Sequence, residues 1–150
     1  MTLIRQCSPH LLHTTIACNT GGDGSGVYAH LGTVALTNTI LVSHTVGIYL
    51  DLSKVKLDAT LWHGNTTDWG GAGTINHSND YTGDPRFDAD GYHLLGGSAA
   101  IDKGVDTGVT TDIDDGLRDS APDLGADEFG SASTPTGNIY LSIILKNYSP

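Results

Sequence analysis

Gly26-Val27-Tyr28 is followed by Thr33-Val34-Ala35-Leu36, and the same order returns as Gly47-Ile48-Tyr49 followed by Lys54-Val55-Lys56-Leu57, both offset by 21 residues. Working outward, Thr15-Ile16, Thr39-Ile40 and Thr60-Leu61 mark a third recurring position and set the period at 21 to 24 residues. Short β-branched runs separated by Gly and Asn at this period are what one turn of a parallel β-solenoid requires. Strands of about 4–5 residues rise ~3.3 Å per residue. The corners between them need residues that tolerate left-handed backbone, hence Gly and Asn. Alternation in Val34-Ala35-Leu36 and Val55-Lys56-Leu57 sends Val and Leu inward and Ala or Lys outward. One coil cannot bury its apolar face alone, so coils stack. A leucine-rich repeat has a similar period, but its Leu-x-x-Leu-x-Leu signature is missing and no helix-forming stretch separates the strands. The expected fold is therefore all-β, a parallel β-helix of about three coils.

Composition agrees. Of 150 residues, 20 are Gly and only 16% are charged, which suits a turn-rich all-β chain and argues against a helical bundle. The net charge of −10, with seven Lys and Arg, excludes a basic face for nucleic acid or anionic membrane. No apolar run approaches the ~18–20 residues of a membrane span, and the opening residues carry no apolar run of secretory-signal length. Cys7 and Cys18 allow at most one pairing. Cys18, inside an apolar segment, reads as a small buried residue.

A second set of residues carries a resemblance. The run Gly24-Ser25-Gly26-Val27-Tyr28, then Leu36-Thr37-Asn38-Thr39-Ile40, resembles the right-handed parallel β-helix repeats of bacterial extracellular proteins. Next come Gly83-Asp84-Pro85-Arg86-Phe87, Tyr92-His93-Leu94, Gly97-Ser98-Ala99-Ala100-Ile101-Asp102-Lys103-Gly104 and Pro122-Asp123-Leu124-Gly125-Ala126-Asp127-Glu128-Phe129. These resemble the closing block of choice-of-anchor β-helix proteins, with Ala99 where that family usually has Pro. The resemblance spans about residues 11 to 129 and implies the C-terminal end of a right-handed β-helix, an extracellular or cell-surface location, and an acidic segment that caps or wraps the coils. Residues 130–138 read as a linker and 139–150 as a C-terminal strand tail. The tail resembles the Tyr-Leu-Pro-Leu-type ends of extracellular proteins from Chloroflexi-like bacteria, with Ser142 in place of Pro.

Residues 88–128 hold eleven acids and two bases, a local charge of −9. Within them, Asp112, Asp114 and Asp115 precede Gly116, an arrangement of carboxylates that suits Ca2+. Neither this run nor Asp88-Ala89-Asp90-Gly91 is an EF-hand loop, and the competing reading is Asp side chains capping their own turns. The seven histidines form no helical metal pair.

Many parallel β-helix proteins cleave polysaccharides. Asp51 with Asp58 or Asp68 is the nearest approach to a carboxylate pair on the coils, and no catalytic residue is assigned. Trp62, Asn65, Trp69 and Tyr81 are the candidate carbohydrate-binding residues. Trp62 follows an inward Leu61 and is expected to face outward; the alternative is that loop 63–73 folds over both Trp residues. A solenoid has two open ends, and Met1 to His10 makes a poor cap. The expected partner is therefore another copy, in an oligomer or filament. Ile139, Tyr140, Leu141, Ile143, Ile144 and Leu145 are the candidate self-association residues, on a strand that either folds back on its own coils or adds to a neighbour's edge.

Overall fold

The structure is a computed structural model that describes residues 8–22, 24–131 and the pair 145–146. Six strands follow in chain order: β1 (His10–Ala17), β2 (Ser25–His30), β3 (Thr33–Val42), β4 (Val46–His63), β5 (Thr67–Thr82) and β6 (Leu145–Lys146). Every strand pairing is parallel, and no helix occurs among the described residues. The strands stack as a β-solenoid of about three turns. Val27 pairs with Ile48 and Val34 with Val55, so the 21-residue repeat read in the sequence is the coil length. The first coil is longer: Leu11 pairs with Leu36, an offset of 25. The last is shortened by a bulge between Asp51 and Ser53.

The corners are left-handed, as the fold needs, and they stack. One row runs through His13, Asn38, Ala59 and Asn79, with φ of 46°, 55°, 55° and 52°. A second runs through Cys18, Ser43 and Gly64, at 60°, 59° and 64°. A third joins Leu31 and Leu52, at 48° and 50°. Only some of these are the Gly or Asn that a left-handed corner favours. Each of the others costs roughly 1–2 kcal/mol, which the packing on either side outweighs. Cys18 is exposed at its corner, not buried, because the left-handed turn points it away from the apolar strand before it.

Two apolar clusters result. Inside the coils lie Ile16, Leu36, Leu41, Ile48, Leu50, Val55, Leu57 and Trp62. Their sequence neighbours Ala17, Ile40, Val42 and Leu61 point the opposite way, into a second cluster with Leu94, Ala100 and Leu124. Burying each large side chain of that second cluster contributes about 1.5–3 kcal/mol. The expected orientation of Trp62 is thereby corrected. Its indole faces the interior and is 4% exposed, while Leu61 faces outward under the closing segment. The alternation was sound, but the frame was shifted by one. Thr15, not Ile16, pairs with Ile40, and Ile16 pairs with Leu41.

The closing segment, residues 83–131, has only the isolated antiparallel bridges Phe87–Leu94 and Thr111–Leu117. It lies along one side of the stack and is pinned there by polar contacts. Asn38 is wholly buried. Its Oδ1 accepts from the Val105 N–H (2.8 Å), its Nδ2 donates to the Val105 carbonyl (2.7 Å), and its own carbonyl accepts from the Gly125 N–H (2.9 Å). The Ala126 N–H donates to Thr15 Oγ1 at 3.1 Å. Gly125 has a φ of +88°, and a Cβ there would lie 2.6 Å from Thr15 Oγ1 and 2.7 Å from Ile40 Cδ1.

Candidate functional site

The four residues read as a sugar platform are placed in different surroundings. Trp62 is interior. Asn65 is spent on the fold: its Oδ1 accepts from the His44 N–H (3.0 Å), and its Nδ2 donates to the Leu41 carbonyl (3.1 Å) and to Asp68 Oδ1 (3.0 Å). One coil earlier, His44 does the same work: Nδ1 accepts from the Asn19 N–H and Nε2 donates to the Ile16 carbonyl, both at 3.1 Å. Burial first of all holds the His44 pKa below its ordinary value, so the ring stays neutral. Tyr81 packs against the second apolar cluster. Only Trp69 remains substantially exposed, at 37%.

The acidic candidates divide as well. Asp112 is buried, with Oδ1 accepting from the N–H groups of Asp114 (2.9 Å) and Gly116 (2.7 Å) and Oδ2 from the Ser131 hydroxyl (2.5 Å). That is an acid holding its own turn. Asp114 turns away to His93. The three are therefore not brought together as one oxygen cage around Asp112. The motif Asp123 to Glu128 is structural too. Glu128 pairs with the buried Arg118 (3.1 Å) and accepts the Asp123 N–H (2.8 Å), while Arg118 Nη2 also donates to the carbonyls of Gly125 (3.0 Å) and Ala126 (2.8 Å). Burial pushes the Asp123 carboxyl up to about 6, against the backbone N–H groups of Asp102 and Phe129 that favour its charge. Sequence reasoning treated these residues as a motif to be recognised. The long-range signal that they clamp one another was not in the spacing.

The paired-carboxylate idea is also dispersed. Asp51 accepts from Tyr28 Oη (3.0 Å) and contacts His30 Nδ1 (2.7 Å). Asp58 holds Ser78 and Asn79, and Asp68 holds Asn65.

The last coil is the remaining candidate. β5 has 16 residues and, among the described residues, pairs with β4 alone. Its inward positions carry Trp69, Ile75 and His77, opposite Ile48, Val55 and Leu57 of β4. Trp69 stands over Trp62 at 5.6 Å and beside His77 at 5.3 Å between ring centroids. His77 Nδ1 meets Asp80 at 2.5 Å. A Cβ on Gly71, where φ is +94°, would lie 2.1 Å from the Leu50 carbonyl oxygen, so only glycine lets this strand close down on the bulge. Nearby, a cavity of about 360 Å3 runs across β1, β3, β4 and β5 and is lined in part by His10, Thr37, Lys56, Asp58, Asn76 and His77. At the opposite end, β6 pairs with β1 of the same chain, Ile16 with Leu145 and Ala17 with Lys146. The fold-back alternative is thus seen for Leu145; Ile139, Tyr140, Leu141, Ile143 and Ile144 lie outside the described residues. Among the described residues, no helix is long and apolar enough to cross a membrane. Comparison with protein-family models, with curated proteins and with solved structures finds no match.

Proposed function

We propose that this chain is a non-enzymatic structural module that self-associates, its contact with a second copy being the β5 end of the solenoid. The observation that carries the reading is the unfinished last coil. Trp69, Ile75 and His77 point along the path of the interior, yet no further coil covers them among the described residues. An edge strand of this length offers a row of backbone donors and acceptors, a template for pairing with another chain. A coil from a second copy has the matching repeat: the row Val27, Ile48, Trp69 has one spacing of 21 residues throughout. β6 partly occupies the β1 edge, so the two ends are unequal. End-to-end β5 contact gives a closed dimer, and β5 on the opposite end gives a filament. The resemblance of the closing block to choice-of-anchor β-helix proteins supports placement at a bacterial cell surface.

The test is light scattering after size exclusion, with negative-stain electron microscopy, from low-micromolar to sub-millimolar chain. Wild type is expected to form dimers or filaments as concentration rises. Trp69→Lys combined with Ile75→Lys puts two charges on that end and is expected to stay monomeric with unchanged far-UV circular dichroism. A wild-type chain that stays a monodisperse monomer throughout overturns the reading.

A second reading, carbohydrate binding, rests on a different face. Tyr28 and Tyr49 stack at 5.6 Å with 9° between planes, both exposed and beside Asp51. Gly70 takes the next position in that row and leaves open space there. Stacked rings next to a carboxylate suit a neutral sugar. Glycan-array binding abolished by Tyr49→Ala would support it, and an array without signal would remove it.

A further inference from the structure

Three stretches of the closing segment meet at one point. His93 follows the turn at 88–91, Asp114 sits in the turn held by Asp112, and Asp127 belongs to the Arg118–Glu128 clamp. One imidazole nitrogen and one carboxylate oxygen from each Asp all lie within 4.8 Å of one another. The three line a cavity of about 390 Å3 with Glu128, Gly130 and Ser131.

The geometry points to a divalent transition-metal site of the zinc type at His93, Asp114 and Asp127, a clip that fastens the closing segment to itself. Two features separate it from an ordinary acidic surface. Asp127 is 6% exposed where it lines that cavity, and its Oδ2 accepts from the Leu94 N–H (2.6 Å). A carboxylate this buried is costly unless it is hydrogen-bonded and paired with a positive charge. The second feature is Asp90. It takes the Nδ1 side of His93, leaving Nε2 directed at Asp114 and Asp127. A carboxylate behind a histidine, fixing which nitrogen faces the ion, is the usual outer support of a ligating imidazole. One nitrogen and two oxygens with room for water match Zn2+ and its neighbours, and suit Ca2+ poorly because imidazole is not its ligand.

The site must rearrange slightly to bind. At ~2.1 Å per bond, tetrahedral ligands stand about 3.4 Å apart, so the hydrogen-bonded His93 and Asp114 atoms must move apart around the ion while any wider pair draws in. The ion replaces the His93–Asp114 hydrogen bond, and the Nε2 proton leaves to solvent. The proposal is independent of self-association, since none of its residues lies on β5.

The experiment is calorimetric titration of the full chain with Zn2+, together with the visible spectrum of the Co2+ form. One ion per chain is expected, with Co2+ bands of a nitrogen- and oxygen-ligated site. His93→Ala and the exposed Asp114→Asn are each expected to weaken Zn2+ at least about 100-fold. Asp90→Asn touches no ion and is expected to weaken it about 10- to 100-fold. His30→Ala, at another exposed His–Asp pair, is expected to leave Zn2+ affinity unchanged. Zn2+ affinity that is unaltered by His93→Ala, or lost equally in His30→Ala, overturns the site. So does Ca2+ binding as tightly as Zn2+. If His93→Ala fails to fold, Asp114→Asn and Asp90→Asn decide the matter.

Discussion

Removing the Asn38 side chain should release the closing segment while leaving the coils stacked. Asn38 combines three demands. Its φ of 55° needs a residue that accepts left-handed backbone. Its amide completes a two-way bridge to the Val105 backbone. Its Nδ2 also reaches His13 Nε2 at 2.9 Å. In Asn38→Ala the two Val105 bonds are lost at about 1 kcal/mol each, their abandoned partners add to that, and alanine at this φ costs about 1 kcal/mol more than asparagine. The sum is about 3–4 kcal/mol, a large share of the ~5–15 kcal/mol that holds a domain together. Because those contacts join the segment to the coils, the loss should appear as local opening. Hydrogen exchange read by mass spectrometry is the assay. Amides in 99–126 should exchange roughly 150- to 700-fold faster, at ~1.4 kcal/mol per tenfold, while β3 and β4 change little. Asn38→Gly keeps the backbone preference and should recover about 1 kcal/mol of the loss. If Asn38→Ala speeds exchange less than about threefold, or opens β4 as much as the segment, the anchoring role is refuted.

Arg118→Met should cost about 3–5 kcal/mol, because Glu128 would be left buried without its guanidinium; a urea midpoint within error of wild type would contradict this. Gly125→Ala should destabilise by several kcal/mol through its clash with Thr15 and Ile40 and its positive φ, whereas Gly108→Ala, with open space around it, should cost only the ~1 kcal/mol of its φ of +77°; equal thermal midpoints for the two would contradict the packing argument. Burial, then the Arg118 charge, holds the His13 pKa down to about 4 from 6.5, so the unfolded chain binds the extra proton and stability from His13 is lost as pH falls from about 6.5 to about 4. Asp123, raised from 3.8 to about 6, has the opposite sign and gains stability over nearly the same range. The wild-type profile from pH 7 to 4 should therefore be shallow. His13→Gln should gain on wild type by roughly 2 to 3 kcal/mol on acidification. Parallel profiles for the two proteins would refute the assignment.

The coil path was legible in the sequence because it is periodic. An offset of 21 residues between Val27 and Ile48 and between Val34 and Val55 is a local pattern repeated, and parallel in-register stacking is the one way to satisfy all its copies. That corners need residues tolerating left-handed backbone was legible too, but which positions turn was not: the row through Asn38 also holds His13 and Ala59. The direction of Trp62 was not. Alternation states that neighbours face opposite sides; it does not state which side is inside when both are apolar. Leu61 could lie outward only because residues far down the chain, Leu94 and Leu124 among them, come back to cover it. The acidic candidates were not separable for a related reason. A run such as Asp112-Ile113-Asp114-Asp115-Gly116 is the same text whether its carboxylates cap a turn or hold an ion. Tertiary structure divided it, giving Asp112 to Gly116 and Asp114 to His93. The repeat and the parallel stack are written in the residues themselves, because they follow from local conformation and period. Which face is covered, which end is uncovered among the described residues and which acids meet a histidine depend on contacts between residues whose separation in the chain carries no signal.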